Sequence, residues 1–355
     1  MADSRAKAVT SELADLTSRA NYMLDIIAGV RDLREPLGRG DIVDVASVAT
    51  SITVNADGSS SSAPQALTVG ATSVNCNLEP FVNVLIPARD DLQVANGGWA
   101  RGVAREGMDA LRNSVDSSLA AFLLQSIVAD LSATYVDNPA ADSLTSADIL
   151  NCKAALLDQD GASDLKMFVG PFGQSSIANI SGFIPNYQAA EAGRVGLEML
   201  GSVHGLPVYQ TNSIPRRRTV ASTAFSDDGS TLTLTVASGH GVEAGMPVSY
   251  DLTAGTSHDI AAASPATVSS VTATTVVVPT VSAGSGGAGV ITIQATENIL
   301  VDCRNGVYVA RQQMPVAALV KDINTSGSAL QLSMIWGRAG RAGRARSLLS
   351  PPASA

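Results

Sequence analysis

Between residues 219 and 295 the chain almost stops using charge. Thr, Val, Ser, Ala and Gly dominate, and Thr231-Leu232-Thr233-Leu234-Thr235-Val236 alternates strictly. A period of two puts every second side chain on one face, which is the pattern of a half-buried strand. Gly245-Met246-Pro247-Val248-Ser249-Tyr250 turns into another strand, and Val268-Ser269-Ser270-Val271, Thr274 to Val278 and Gly289-Val290-Ile291-Thr292-Ile293 add more. Short strands broken regularly by glycine predict a small β-barrel or sandwich. On either side the character differs: helix and strand patterns alternate over 145–218, and apolar strands resume at 296–336. The segment therefore reads as a domain inserted into a loop of an α/β domain, which requires the two ends of that loop to lie close together. A chain of 355 residues has room for both.

Upstream, Val9, Leu13, Leu16, Ala20, Met23, Ile27 and Val30 fall at spacings of three and four, which predicts one amphipathic helix from 6 to about 34, ending before Pro36. Such a helix either docks on its own domain or packs on a neighbouring subunit. Over 41–95 the period changes to two. Asp41 to Val45 and Ser51 to Val54 lead to a soft tip, Asp57-Gly58-Ser59-Ser60-Ser61-Ser62, and the chain returns through Ala66 to Val69 and Thr72 to Leu78. This is a long hairpin, poor in large apolar residues, that needs a partner surface. Val103, Met108, Leu111, Val115, Leu119, Phe122 and Leu131 mark the stripe of a long helix over 99–131, with Arg101, Arg105, Arg112 and Asp116 mostly off it. Thr145 or Ser146 caps a helix reaching Leu157, Leu165 to Val169 is a buried strand, and a helix runs from about Phe172 to Ile180. After a glycine-containing stretch at 181–200 comes Gly201-Ser202-Val203-His204-Gly205-Leu206-Pro207-Val208-Tyr209, which closes at Ile214-Pro215. Gly205 and Pro207 set a bend, Pro215 ends the strand, and His204 is a turn residue. The end, Gly337 to Arg346, is low in complexity and basic, and is read as a flexible tail.

Machinery for chemistry is sparse. No P-loop, zinc-protease, nucleophile-elbow or dinucleotide fingerprint occurs in the sequence. The three histidines fall in turns, Asp90-Asp91 and Asp227-Asp228 read as solvated turns, and Cys76, Cys152 and Cys303 have no metal spacing. The expectation is no catalytic residue, no cofactor and no metal. The net charge of −9 argues against a sequence-reading DNA binder. With charged residues at only 15%, much of the surface is uncharged, as in chains that pack against neighbours. Of 23 basic residues only four are lysine, and arginine's planar fork suits interfacial carboxylates. The N-terminus carries acids and no apolar core of a secretory signal, so a cytoplasmic origin is expected.

The order of parts resembles the major capsid (coat) protein of tailed bacteriophages, with the α+β Hong Kong 97-type fold. The likeness lies in Gly40-Asp41-Ile42-Val43-Asp44-Val45 at the start of an extended loop, Val82 to Asp91 as its return strand, Leu165 to Pro171 as a strand-then-proline, and the Gly-x-Pro-Val strand of 201–215. It implies an N-terminal arm (1–40), an extended loop (41–95), a peripheral domain with a spine helix (96–144), an apical α/β domain (145–218), an inserted β domain of the podovirus kind (219–295), final strands (296–336) and a basic tail (337–355). It also implies a structural protein, not an enzyme, that assembles with itself as hexamers and pentamers into an icosahedral virion shell around double-stranded DNA. Scaffolding, portal and decoration proteins are its implied partners, with no membrane involved. One departure matters: residues 41–88 contain no lysine, so the covalent cross-linking of some relatives is not available from this loop. Lateral contacts must then be non-covalent, and the candidates are Asp57, Gly58, Ser59, Ser60, Arg101, Arg105, Arg216, Arg217 and Arg218. The arginine triplet reads either as a solvated run or as a cluster pairing with a neighbour's acids. Arg338, Arg341, Arg344 and Arg346 carry the same alternatives, with DNA contact as a third. Two other functions fit the pattern: an encapsulin-like compartment shell, and a β-rich glycan-binding adhesin module using 219–295.

Overall fold

The computed structural model describes residues 23–27, 30–33, 39–48, 69–86, 98–124, 144–158, 164–185, 199–253, 258–262, 264–279, 283–304, 306–312, 316–321, 328–340 and 344–350. Over them the chain mixes helix and strand, with strand in excess. A short helix α1 (Met23–Ile26) precedes β1 (Val30–Leu33), β2 (Asp41–Val48), β3 (Val69–Cys76), β4 (Phe81–Ile86) and the long helix α2 (Gly98–Phe122). Next come α3 (Ser146–Leu157), β5 (Leu165–Val169), α4 (Gln174–Ala178), β6 (Phe183–Pro185), β7 (Met199–Val203) and β8 (Leu206–Gln210). Eight strands follow: β9 (Thr219–Asp228), β10 (Thr231–Val236), β11 (Pro247–Leu252), β12 (Ala266–Thr267), β13 (Ser270–Val271), β14 (Thr275–Pro279), β15 (Ala283–Gly286) and β16 (Gly289–Ile293). The chain closes with β17 (Thr296–Asp302), β18 (Val307–Gln312), β19 (Val316–Lys321), β20 (Ser328–Ser333), β21 (Trp336–Gly340) and β22 (Ala345–Ser350).

Two units form. The first takes the described parts of Val30–Leu111 and Tyr308–Ala339. In it β2 and β3 pair antiparallel from Asp41↔Cys76 to Val48↔Val69, so the hairpin expected over 41–78 is present in its described part. Its inner face buries Val45, Val74 and Cys76 with Ala310, while Ile42 on the other face is 64% exposed. The described part of the return strand expected over 82–91 is β4, which pairs with β20 and, through it, with β19; residues 87–91 lie outside the described residues. Helix α2 lies against this sheet at Gly107, where a Cβ would come within 2.9 Å of the Leu332 side chain. Met108, Leu111, Val115 and Leu119 of the predicted stripe are buried, and Phe122 is half-buried. Residues 125–131, which the pattern included, lie outside the described residues.

The predicted helix over 6–34 does not run through. Residues 30–33 are strand β1, parallel to β18 from Val30↔Val309 to Leu33↔Gln312. The three-four spacing of Ile27 and Val30 spans a helix end, and the β18 ladder satisfies a backbone that local propensity would have left helical. What remains of the helix among the described residues is α1.

The second unit takes the described parts of Ser18–Gly29, Arg112–Val307 and Gly340–Ala355. Here α1 is held at both ends. Asp116, buried on α2, accepts the Met23 N–H at 3.0 Å, and Lys166 donates to the Ile26 carbonyl at 2.8 Å. A carboxylate at the N-terminus and an ammonium at the C-terminus oppose the helix dipole. Asp116, expected off the buried stripe, is inside for this reason.

A six-stranded sheet in the order β22-β17-β5-β8-β7-β6 forms the α/β part. All seven residues of β17 are buried. Ile149, Cys152 and Leu156 of α3 pack on Met167, Val169, Val203, Val208, Leu300 and Leu348. Thr145 caps α3 in a capping box: its hydroxyl accepts the Asp148 N–H, and the Asp148 carboxylate takes the Thr145 N–H at 2.8 Å. Thr145→Ala should cost about 1 kcal/mol of stability in urea denaturation, with Thr145→Ser close to neutral.

The described residues of 219–295 form one eight-stranded sheet whose two end strands meet, so that it closes as a barrel. The sheet order is β12-β11-β16-β9-β10-β14-β13, and the segment 266–271 joins its two ends. Its first residues pair with β11 and its last with β14. The closure is carried by Val268 N–H to the Met246 carbonyl at 2.9 Å and Ser269 N–H to the Val277 carbonyl at 2.8 Å. β15 pairs with the far half of β9. The interior holds Leu232, Leu234, Val236, Val248, Tyr250, Val276, Val278, Ile291 and Ile293. Closure removes free edges, so a segment poor in large side chains still makes a dry core. Gly289 makes room for the Tyr250 ring, whose hydroxyl would lie 2.4 Å from a Cβ there.

The flexible tail expected over 337–355 is corrected at its described residues, 337–340 and 344–350; 341–343 and 351–355 lie outside them. Residues 336–340 are β21, and 345–350 are β22, antiparallel to β17 from Thr296↔Ser350 to Val301↔Ala345. The Gly-Arg-Ala repeats read as low complexity, but their small residues suit close strand approach. At Gly337 a Cβ would lie 2.3 Å from the Asn75 carbonyl oxygen.

Candidate functional site: the junction of sheet and barrel

The stretch 201–215 is a hairpin and a joint. Val203-His204-Gly205-Leu206 is a two-residue turn, with φ of 48° at His204 and 76° at Gly205. Left-handed conformations at both central residues are what a twist-matched hairpin turn needs, and only glycine takes the second without strain. His204 does more than turn the chain. Its Nε2 meets the Ser146 hydroxyl, and its carbonyl accepts a hydrogen bond from Lys153 at 2.8 Å, so the hairpin is fastened to α3. Pro207 lies within β8, opposite Ser202, rather than in the bend. In a two-residue hairpin the second pair exchanges no backbone hydrogen bonds, and the ladder to β5 begins only at Val208, so the missing N–H costs little. Pro215 follows Ile214, where the chain leaves the sheet for the barrel.

The arginine triplet divides three ways. Arg218 is buried and holds Glu297 through two bonds, Nε to Oε2 at 2.7 Å and Nη2 to Oε1 at 3.0 Å. It also donates to the carbonyls of His240, at 2.5 Å, and Gly241. Its fork is therefore committed inside the chain, which corrects its reading as a solvated or inter-subunit charge. Arg216 lies over the Phe172 ring, 5.0 Å from the centroid, and Arg217 is exposed. The outgoing and returning chains are tied to each other by Ile293 N–H to the Arg218 carbonyl at 2.9 Å and the Thr296 hydroxyl to the Arg216 carbonyl at 3.2 Å.

His240 extends the cluster. Its Nδ1 accepts the Val242 N–H at 3.0 Å, which leaves Nε2 to donate to the Thr272 carbonyl at 2.9 Å. The sequence placed His240 in a turn but gave no role to its ring or to Glu297. A signal was there: Arg218 and Glu297 are opposite charges standing one at each boundary of a charge-poor segment with no Lys or Arg of its own.

Of the other expected positions, Asp57, Gly58, Ser59, Ser60 and Arg341 lie outside the described residues, as do the side chains of Arg101 and Arg105. Arg338 stacks over Trp336, 5.5 Å from the centroid. Arg344 is buried and paired with Asp302 at 3.5 Å, so it is not an exposed tail residue. Arg346 is half-buried in β22.

The paired acids at 227–228 part company. Asp228 is the exposed turn residue expected: the backbone N–H groups of Thr231 and Ser230, with their hydroxyls, hold its carboxyl well below the usual range. Asp227 is buried, accepting the Gly229 N–H at 2.8 Å, with Oδ2 3.8 Å from His258 Nε2. Among the described residues no group of three or more His, Cys, Asp or Glu is placed to hold a metal, and no helix is long and apolar enough to cross a membrane. All three cysteines are buried as free thiols. Burial raises the Cys76 and Cys303 thiols, which keeps them protonated and unreactive.

No protein-family profile matches the chain, and no curated protein matches its sequence. Among solved structures, it is similar to the capsid of Ralstonia phage GP4, at 12% identity over 92% of this chain and 87% of that one, with a TM-score of 0.49. It is also similar to the capsid of an empty GTA particle, at 10% identity over 94% and 91% with a TM-score of 0.48, and to a virus-like particle from Pyrococcus furiosus, at 9% over 96% and 98% with a TM-score of 0.46. Similarity at this level leaves the reading of function to the chain's own geometry.

Proposed function

We propose that the chain is the major capsid protein of a tailed, double-stranded DNA bacteriophage, with the Hong Kong 97-type fold and a barrel inserted in its apical domain. The observation that carries this reading is the order of parts: a long hairpin, a return strand, a 25-residue helix, and an α/β sheet that is interrupted by a closed barrel and completed from the C-terminal side of it. That is the order the sequence resemblance implies. A structural role fits the buried pairs Arg218–Glu297 and Arg344–Asp302, each of which ties separate stretches of the chain together. Many copies, as hexamers and pentamers, would close an icosahedral shell in the host cytoplasm, with scaffolding and portal proteins as partners. Domain rotation during maturation would sum small differential contacts over the lattice. Arg217, Arg101, Arg105 and the hairpin tip are the proposed lateral contacts, and Arg338 and Arg346 are the basic positions proposed to face DNA.

Negative-stain electron microscopy of the protein, expressed alone and with a neighbouring scaffold gene, should show closed shells of uniform diameter. Deleting residues 57–62 should abolish those shells and leave the monomer's unfolding midpoint unchanged. A monomer that stays dispersed in both preparations would sink the reading. An enclosed enzyme in place of DNA would move it to a compartment shell of the encapsulin kind.

A further inference from the structure

A domain joined to its parent by two adjacent chain crossings is free to swing unless something outside the crossings braces it. The bond between Ile293 and Arg218 lies on the barrel side and that between Thr296 and Arg216 on the sheet side, so they tie the crossings to each other without spanning from barrel to sheet. The Arg218 guanidinium is placed differently. On one side it grips Glu297, a residue of β17 in the six-stranded sheet. On the other it grips the carbonyls of His240 and Gly241, which lie in the barrel between β10 and β11. The His240 ring passes the hold onward, through Val242 N–H and the Thr272 carbonyl, to the turn between β13 and β14. Across the β17–β22 ladder from Glu297 stands Leu349, whose side chain belongs to the barrel core, while its neighbour Leu348 belongs to the α/β core.

We propose that Arg218 is a positioning residue that fixes the orientation of the barrel on the six-stranded sheet. A planar fork with donors on two edges reaches a carboxylate and two carbonyls together, which a lysine ammonium cannot do in the same geometry. The pair is a brace rather than a simple source of stability, because a buried ion pair contributes little beyond what a packed apolar pair of the same volume would. A contact made on the barrel by a neighbouring copy is then carried into the sheet instead of being absorbed at the crossings. That consequence rests on the shell reading; the brace does not.

The test uses the unassembled full-length chain, so its outcome is independent of shell formation. Spin labels are placed at Ser226→Cys on β9 and Asn151→Cys on α3, both exposed positions, while the native cysteines are buried. Pulsed electron resonance should give one narrow distance distribution for the wild-type background. Arg218→Met combined with Glu297→Leu keeps the volume and leaves no orphan charge. It should broaden or split that distribution, while hydrogen exchange in β14 and in β5 stays at wild-type protection. Arg218→Lys should broaden it less. An unchanged distribution in the double variant would overturn the proposal, leaving Leu349 and the backbone ties as the brace. Loss of protection in both cores at once would also overturn it, by making the pair a general stability element. Arg218→Met alone leaves Glu297 buried without its partner, so the double variant is the one that decides.

Discussion

A chain ending at Gly340 will not reach the native state of its second unit. The lost strand β22 is small but serves two cores. Six of its residues pair with β17, whose seven residues are all buried. Leu348 enters the α/β core and Leu349 the barrel core. The Asn298 amide, buried in β17, donates to the Leu348 carbonyl at 3.1 Å and the Ser350 hydroxyl at 2.7 Å, and would lose both acceptors. Burial of each leucine is worth about 1.5–3 kcal/mol, and each orphaned buried polar group costs about 1–3 kcal/mol more. Together with the lost ladder this reaches the roughly 5–15 kcal/mol that holds a whole domain. The expected result is insoluble protein, or a soluble chain with no cooperative urea transition for β5, β17 and the barrel. Point variants separate the two roles. Leu348→Ala and Leu349→Ala should each cost about 2–5 kcal/mol, with hydrogen exchange rising first around α3 for the former and around β16 for the latter. A truncated chain with a wild-type unfolding midpoint would refute the assignment.

The short strands of 219–295 were legible in the sequence because period-two alternation and glycine breaks are local signals; the choice between barrel and sandwich depends on long-range pairing and was not. The helix start at Thr145 or Ser146 and a turn around His204 and Gly205 were legible for the same reason, although Pro207, read as part of the bend, lies in β8. The misread segments are those where a distant strand outvotes local pattern. Val30 to Leu33 continue a helical spacing, yet β18, almost 280 residues later, takes their backbone. Residues 337–340 and 345–350 look like part of a basic tail, yet β18 and β17 give them strand partners. Buried charge was the least legible. Asp227 read as solvated, Asp116 as off the apolar stripe, and Arg218 and Arg344 as solvated or bound outside the chain, yet each is inside beside a group from elsewhere in the chain. Sequence position shows that a charge exists; it does not show what has been folded around it.

Arg344 carries the second large effect. Asp302 is fully buried, and Arg344 is 2% exposed with Nη1 3.5 Å from Asp302 Oδ2. The backbone reinforces the pair: Asp302 N–H donates to the Arg344 carbonyl at 3.0 Å, and Asp302 Oδ1 accepts the Arg304 N–H at 3.2 Å. Removing the cation strands a carboxylate in the interior, so Arg344→Met should lower stability by about 3–5 kcal/mol. Asp302→Asn keeps the acceptor for Arg304 and removes the charge, so adding it to Arg344→Met should recover much of the loss. Urea denaturation of the four proteins in the cycle measures the coupling directly. The same cycle separates an internal brace from a DNA-facing arginine. An arginine that serves phosphate changes the salt dependence of DNA binding and leaves the empty protein's stability alone. Arg344 should do the reverse, losing stability in the unassembled, DNA-free chain. A midpoint unmoved by Arg344→Met would return this residue to the surface and to the nucleic acid.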